Sequence, residues 1–318
     1  MMKYPTYLFD LHCDTLTRHK DPKPTDPDIL DDPALVVNLS ALPQEVHWGQ
    51  FYAIFLPDAL RGPEAVRFYE YHRDLFYEQT EKFADRISPC RSAEDLDKAW
   101  KENKTAAFLT IENGSPLAGD LRRVALLAKD GVRCMTLTWN GENEIASGND
   151  TDHGLSDFGR EAVQEMEKEG ILVDVSHLND HGFEDLMGVI KKPFVATHSN
   201  ARSICRHKRN LTDDQIREMV KRDCLIGLNY YVDFLDDEGK VPGYETILRH
   251  IEHFFALGAQ RNLALGSDFD GCRLPECLSS PRKAAGLYGY LLERGMSRAQ
   301  AEDILYKNAL RFLDKNLQ

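Results

Sequence analysis

Residues 7–15 read Y-L-F-D-L-H-C-D-T, an apolar run that ends in a histidine and an aspartate two residues apart. If Tyr7 to Leu11 form a strand, successive side chains alternate between its faces, so that His12 and Asp14 point to one side and Cys13 to the other. A buried strand that ends in this way delivers one nitrogen and one oxygen ligand to a shared point. The H-x-D spacing also arises by chance, so the rest of the chain decides its meaning.

The run at 7–11 is the first of several that share its character. Eight short apolar or β-branched runs span residues 7–11, 51–56, 106–111, 133–138, 171–175, 194–197, 225–229 and 263–266. Helix-like segments separate them, and the segment at 212–222 opens with Thr212 in the position of an N-cap. This alternation predicts a parallel sheet, and eight strands predict a closed (β/α)8 TIM-like barrel, a single domain over residues 1–318. An open doubly wound sheet is the alternative, but no G-x-G-x-x-G turn follows the first run.

Polar side chains follow five of the eight runs, at the end of the strands where barrel enzymes build their sites. These side chains are His12, Asp14, Glu112, His177, His198 and Asp268. Three histidines and three carboxylates exceed the four ligands of one tetrahedral zinc, but they suit two metal ions with Glu112 as the carboxylate between them. Two such ions acidify a shared water to hydroxide and polarise a carbonyl oxygen. Asp268 would hold the proton of that water and return it to the leaving group.

Longer motifs extend this pattern over most of the chain. They are G-Q-F-Y-A-I-F at 49–55, G-L-S-D-F-G-R-E-A-V at 154–163, G-I-L-V-D-V-S-H at 170–177, H-S-N-A-R-S-I-C-R-H-K-R-N-L-T-D-D at 198–214 and G-S-D-F-D-G at 266–271. With H-C-D at 12–14, the chain resembles the renal (membrane) dipeptidase family of zinc metallopeptidases, within the amidohydrolase-like barrels. The resemblance implies two zinc ions per chain, one bound by His12 and Asp14 and one by His177 and His198. It also implies that Glu112 bridges them.

The resemblance also implies residues that hold a dipeptide substrate. Arg209 and Tyr230 would hold the substrate carboxylate, and Asp268 would lie beside the bridging water. For Arg209 the chemistry agrees, because a planar guanidinium grips a carboxylate with two parallel hydrogen bonds. Tyr230 is chosen over the adjacent Tyr231 by alignment alone, and we expect one of the two to pack in the barrel. The expected function is a dinuclear zinc dipeptidase that cleaves small dipeptides with a free C-terminal carboxylate by a metal-bridging hydroxide.

One position departs from the family pattern. After the fourth run, the best-known dipeptidases of the family carry a histidine thought to stabilise the oxyanion, whereas this chain reads L-T-W-N-G-E-N, with Trp139 at that position. An indole offers one N–H donor and cannot become cationic. Either Trp139 forms an apolar wall for the substrate, or a second donor replaces the histidine. The candidate donors are Asn140, Asn143 and His153, in that order.

Two other functions stay open. The tryptophan leaves room for a related metal-dependent amidohydrolase that acts on a non-peptide amide. The chain would alternatively be a metal-binding barrel that has lost catalysis, but Arg209 and Asp268 speak against this, because a metal store needs neither.

Composition and charge limit the partners and the location. The formal net charge of -13 disfavours nucleic-acid binding, which needs a basic patch. We find neither a stretch of about twenty uncharged residues that would span a bilayer nor a signal-peptide apolar region, so we expect a cytoplasmic protein without a membrane partner. The seven cysteines lack a C-x-x-C pair and are expected to be reduced. Other histidines, among them His72 and His250, are expected on wet surfaces, and a homodimer is one option for the assembly.

Overall fold

Strands and helices alternate along the chain in the computed structural model, which describes residues 4–18, 28–237 and 243–317. In these residues the strands are β1 (Tyr7–Cys13), β2 (His47–Phe55), β3 (Ile87–Cys90), β4 (Thr105–Glu112), β5 (Cys134–Thr136), β6 (Leu172–Asp174), β7 (Val195–Ala196), β8 (Leu225–Leu228) and β9 (Leu263–Leu265). The helices are α1 (Gly62–Lys82), α2 (Ala93–Lys101), α3 (Arg122–Asp130), α4 (Asp157–Glu169), α5 (Asp180–Met187), α6 (Asp213–Lys221), α7 (Tyr244–Ala256), α8 (Pro281–Glu293), α9 (Arg298–Glu302) and α10 (Asn308–Asn316). Each of the eight runs expected to form strands overlaps one.

Eight of the strands close into a parallel barrel. Around the barrel the order is β1, β2, β4, β5, β6, β7, β8 and β9, and β9 pairs with β1. The pairing of β2 with β4 completes the ring and runs in register from Gly49 with Ala106 to Phe55 with Glu112. Strand β3 was not expected, and it pairs with residues 105–108 of β4 on the edge that pairs with β5 further along. The expected (β/α)8 barrel is confirmed, with one added strand.

Helix α6 begins where its sequence predicts. The side-chain oxygen of Thr212 accepts a hydrogen bond from the backbone N–H of Gln215 at 3.2 Å. The side chain of Gln215 in turn accepts one from the backbone N–H of Thr212 at 2.8 Å. Two amide donors at the helix start are thus satisfied, an arrangement that stabilises a helix by about 1 kcal/mol.

The inside of the barrel is filled in layers. An apolar cluster takes a residue from every barrel strand, namely Phe9, Phe51, Phe108, Cys134, Leu172, Val195, Leu225 and Ala264. Alternate residues of a strand share a face, so the next inward positions are polar, namely Thr110, Thr136, Asp174 and Thr197. All four of these side chains are buried. One position beyond Thr110 on the same face of β4 is Glu112, so this polar layer lies directly beneath the carboxyl end of the barrel.

Several smaller expectations are resolved by the structure. All seven cysteines are free, as expected. Among the described helices, none has both the length and the apolar character needed to cross a bilayer. The expectation of wet surfaces is wrong for His72 and His250, which are both buried. His250 lies on the packed side of α7, where its Nδ1 accepts a hydrogen bond from the N–H of Ala201 and its Nε2–H donates to the carbonyl of Leu235.

Candidate metal centre

The polar strand ends meet in one cavity at the carboxyl end of the barrel. The cavity has a volume of about 690 Å³. Its lining includes six of the expected site residues, namely Asp14, Glu112, Trp139, Asn140, His177 and Asp268, together with Phe55, Tyr231 and Phe234. Each comes from a strand end or from the loop that follows it, which is where (β/α)8 enzymes carry catalytic groups.

A bulge in β1 places the first pair of expected ligands. Asp10 pairs with Gln50 and Cys13 with Tyr52, so β1 holds one extra residue at this point. A bulge of this kind re-aims the side chains that follow it. The Nε2 atom of His12 lies 3.5 Å from Oδ2 of Asp14, as the H-x-D spacing predicted. Both His12 Nε2 and Asp14 Oδ1 are buried without a hydrogen-bond partner among the described residues.

The carboxylate of Glu112 lies close to three histidines. Its Oε2 is 3.5 Å from Nε2 of His12, and its Oε1 is 2.8 Å from Nε2 of His177 and 3.6 Å from Nε2 of His198. The two Nε2 atoms of His177 and His198 are themselves only 3.0 Å apart. The structure therefore brings all five expected metal ligands together, with one carboxylate in the middle.

The hydrogen bonds behind His198 decide which of its nitrogens faces the cavity. The hydroxyl of Thr197 donates to Oδ2 of Asp174 at 2.5 Å and lies 2.8 Å from Nδ1 of His198. Since that hydroxyl has a single hydrogen, Nδ1–H of His198 is the donor to Thr197, and Nε2 presents a lone pair toward Glu112. Nε2 of His198 therefore lies close to two further ligand atoms, Nε2 of His177 and Oε1 of Glu112. Two imidazole nitrogens and a carboxylate oxygen are suitable ligands for a divalent cation.

The charge balance of the site also fits cations. Burial, followed by the charge of Glu112, raises the pKa of Asp14 to about 6. Burial, followed by the charge of Asp14, raises the pKa of Asp268 to about 7. Burial lowers the pKa of both His177 and His198, so these imidazoles are neutral. Two overlapping groups, His12–Glu112–His198 and His12–Asp14–Asp268, each bring three ligand atoms within 4.8 Å of one another.

Two of the expected site residues have an uncommon backbone conformation. His177 and Asp268 have φ angles of 69° and 61°, in the left-handed region that side chains with a Cβ rarely adopt. Residues held in this way persist only where the surrounding structure enforces them, and they are frequent at functional sites. Asp268 is further held by Asn229, whose Nδ2 donates to its Oδ2 at 3.0 Å. Asn229 was not predicted, although its place directly after β8 matches that of the other site residues.

Arg209 is buried against the backbone of His198 and the ring of Phe234, and Phe234 lines the cavity, although Arg209 is not itself a lining residue. Its side chain is 5% exposed and stacks over the ring of Phe234 at 5.4 Å. Its Nη2 donates to the carbonyl of His198 at 3.3 Å, whereas its Nε is buried without a partner among the described residues. A buried guanidinium with an unused donor is suited to an incoming anion.

The structure corrects the choice between the two tyrosines. Tyr230 is fully buried and packs edge-on against Phe269, with ring centroids 5.8 Å apart. Tyr231 instead lines the cavity. Tyr230 therefore does not line the cavity. Adjacent residues of extended chain point to opposite sides, so an assignment shifted by one residue selects the wrong face.

The loop after β5 contains the position that departs from the family pattern. Trp139 packs edge-on against Phe55 with centroids 4.9 Å apart, and both rings line the cavity. Asn143 does not serve as a donor to substrate, because its Nδ2 is bonded to Asn113 Oδ1 and to Leu137 O. His153 points away, with its side chain 81% exposed and paired with Glu142. Of the three candidate donors, only Asn140 lines the cavity.

Comparison with known proteins identifies the family. The model of the membrane dipeptidase family (peptidase family M19) matches residues 2–317. An uncharacterized protein in the pqqA 5′ region of Klebsiella pneumoniae is 32% identical over 241 residues, which cover 72% of this chain and 89% of that protein. The crystal structure of dipeptidase AC, a metallo peptidase of family M19, is similar with a TM-score of 0.92 at 24% identity and covers 98% of this chain and 99% of its own. A metallo peptidase from Rhodobacter sphaeroides, liganded with a phosphinate mimic of the dipeptide L-Ala-D-Ala, gives 0.91 at 24% identity with the same coverage. The chain belongs to the membrane dipeptidase family, peptidase family M19, and is a metal-dependent dipeptidase of the hydrolase class.

Proposed function

We propose that the protein is a dinuclear zinc dipeptidase that cleaves small dipeptides with a free C-terminal carboxylate. The observation that carries the proposal is the position of Glu112, whose two oxygens face different histidines, Oε2 toward His12 and Oε1 toward His177. A carboxylate in this position is suited to bridge two cations. His12 and Asp14 would hold one zinc, and His177 and His198 the other. Nitrogen and carboxylate ligands in this number are typical of zinc.

The chemistry divides between the metals and the side chains around them. When bound, two zinc ions would acidify a water and polarise the carbonyl of the peptide bond. Asp268 Oδ1 lies 4.0 Å from His12 Nε2, and Asn229 donates a hydrogen bond to its Oδ2. In our proposal Asp268 would take a proton from the attacking water and return it to the leaving amine. Arg209 would hold the C-terminal carboxylate, with Tyr231 rather than Tyr230 as the nearby tyrosine.

The cavity wall made by Phe55 and Trp139 supports a substrate with an apolar side chain. Both rings line the same cavity as Glu112 and His177, so a side chain next to the scissile bond would contact them. Burial of an apolar side chain against aromatic rings contributes about 1–2 kcal/mol to binding. Gly-Gly would lack that contact.

The test is hydrolysis of a dipeptide panel by the metal-loaded protein, with each dipeptide paired with its C-terminal amide. The panel includes L-Ala-L-Ala and L-Ala-D-Ala, because a mimic of the latter occupies the similar Rhodobacter sphaeroides structure. We expect cleavage of free dipeptides, a much slower reaction on the amides, and loss of activity with a chelator. Hydrolysis of simple non-peptide amides in preference to every dipeptide would favour the amidohydrolase alternative, and metal binding without any hydrolysis would favour the binding barrel. The cytoplasmic location and the homodimer stay predictions.

A further inference from the structure

His177 is held from behind by a residue of the β5 loop. The Oδ1 atom of Asn140 lies 2.9 Å from Nδ1 of His177. An amide oxygen carries no hydrogen, so Nδ1–H of His177 is the donor in this bond. The other ring nitrogen, Nε2, then presents its lone pair toward Oε1 of Glu112, 2.8 Å away. The contact with Asn140 thus selects the tautomer of His177 that is able to bind a metal through Nε2.

The two histidines of the second metal are supported in different ways. Nδ1 of His198 is hydrogen-bonded to the hydroxyl of Thr197, which in turn donates to the buried carboxylate of Asp174. Asp174 is fixed from several sides, since it also accepts bonds from Thr136 Oγ1 and from the backbone N–H of Ser176. Among the described residues, the neutral amide of Asn140 is the one hydrogen-bond partner of His177 Nδ1. The orientation of His177 therefore depends on how firmly the β5 loop holds Asn140.

Backbone contacts fix Asn140 in place. Its carbonyl accepts a hydrogen bond from the N–H of Asp150 at 2.8 Å, and the N–H of Gly141 donates to Asp58 Oδ2 at 2.8 Å. The returning loop passes so close that a Cβ on Gly148 would lie 2.0 Å from the carbonyl oxygen of Trp139 and 2.6 Å from the carbonyl carbon of Asn140. Only glycine fits there without moving the Trp139–Asn140 backbone.

We propose that Asn140 is a positioning residue that sets the tautomer and the ring orientation of His177, and so sets the affinity for one of the two metals. The sequence placed Asn140 at the substrate, as a hydrogen-bond donor. In the structure its oxygen, not its N–H group, makes the contact that matters for the metal. The inference rests on the proposed function, in which His177 is a metal ligand.

The test compares Zn²⁺ affinities by competition with a chelator of known affinity. Variants Asn140→Leu and Asn140→Ala remove the acceptor, whereas Asn140→Asp keeps one. Loss of a hydrogen-bond partner of a metal ligand weakens metal binding about 10- to 100-fold. We therefore expect Asn140→Leu and Asn140→Ala to lower the Zn²⁺ affinity by that factor at one of the two sites. For Asn140→Asp we expect an affinity within about threefold of wild type, since the acceptor to Nδ1–H remains. His153→Ala, on the exposed part of the same loop, serves as the control with unchanged affinity.

A second measurement does not depend on how the variants fold. In the zinc-loaded wild-type protein labelled with ¹⁵N, we expect the His177 ring to carry its proton on Nδ1. A proton on Nε2 would overturn the proposal. The proposal would also be wrong if Asn140→Leu bound both metal ions as tightly as wild type does. If Asn140→Asp and Asn140→Leu both lower kcat with unchanged metal affinity, the amide acts on substrate and the proposal is wrong. A wild-type protein that binds no zinc would overturn this inference and the proposed function together, whereas the other outcomes leave the proposed function intact.

Discussion

The Oε1 atom of Glu112 lies 2.8 Å from Nε2 of His177, while its Oε2 lies 3.5 Å from Nε2 of His12. If this carboxylate bridges two cations, Glu112→Gln will lower the occupancy of both metals together, because a neutral amide is a poor bridging ligand. His198→Ala will mainly empty one. Elemental analysis of the purified variants measures this. Equal losses in the two variants would show that Glu112 is not the bridge.

Arg209→Ala should separate free dipeptides from their amides. Removal of a charge-assisted contact costs about 2 kcal/mol, or roughly thirtyfold in kcat/KM. Only the free dipeptide has a carboxylate that makes this contact, so only its hydrolysis should slow. Arg206→Ala is the matched control, since Arg206 belongs to the same basic loop but is exposed and paired with Asp237. Similar losses on dipeptide and amide would show that Arg209 is structural.

Trp139→His tests what the tryptophan does in place of the family's histidine. Its packing against Phe55 at the cavity favours the role of an apolar wall. We therefore expect KM to rise about tenfold for dipeptides with a large apolar side chain, with little change for Gly-Gly and no gain in kcat. A higher kcat with unchanged metal content would instead mean that the histidine supplied an oxyanion donor that this chain lacks.

His250 should make the fold sensitive to acid. Burial lowers its pKa from 6.5 to about 4. The neutral imidazole is the form that the fold accommodates, so its contribution to stability is full above pH 6.5 and is lost as the pH falls toward 4. The loss amounts to about 3 kcal/mol. In metal-free protein, the stability advantage of wild type over His250→Gln should shrink by that amount between pH 7 and pH 4 in urea unfolding. An advantage that stays constant with pH would contradict the prediction.

The barrel, and the gathering of the five expected metal ligands at one end of it, were predictable from the sequence because both depend on local patterns. Short apolar runs mark parallel strands, and the residues that follow them must gather at one end of the barrel. Strand β3 was missed because I-S-P-C is short and contains Pro89, which gives no strand-like alternation.

The supporting residues were not readable, because they depend on contacts between strands. Asp174 reaches Thr136 and Thr197 only through the stagger of β5, β6 and β7, which the sequence does not reveal. Tyr230 and Tyr231 are adjacent in extended chain and point to opposite sides, so a shift of one residue in the alignment selects the wrong tyrosine. The burial of His250 depends on which side of α7 packs on the barrel. The residues next to His250 in the sequence do not show which side that is.

The most direct test of the central claim is a titration of the metal-free protein with Zn²⁺ while dipeptide hydrolysis is followed. If Glu112 bridges two zinc ions, activity will rise until about two equivalents of Zn²⁺ per chain have been added and will then stay constant. Full activity at one equivalent would contradict the dinuclear site, and no activity at any ratio would contradict the dipeptidase itself.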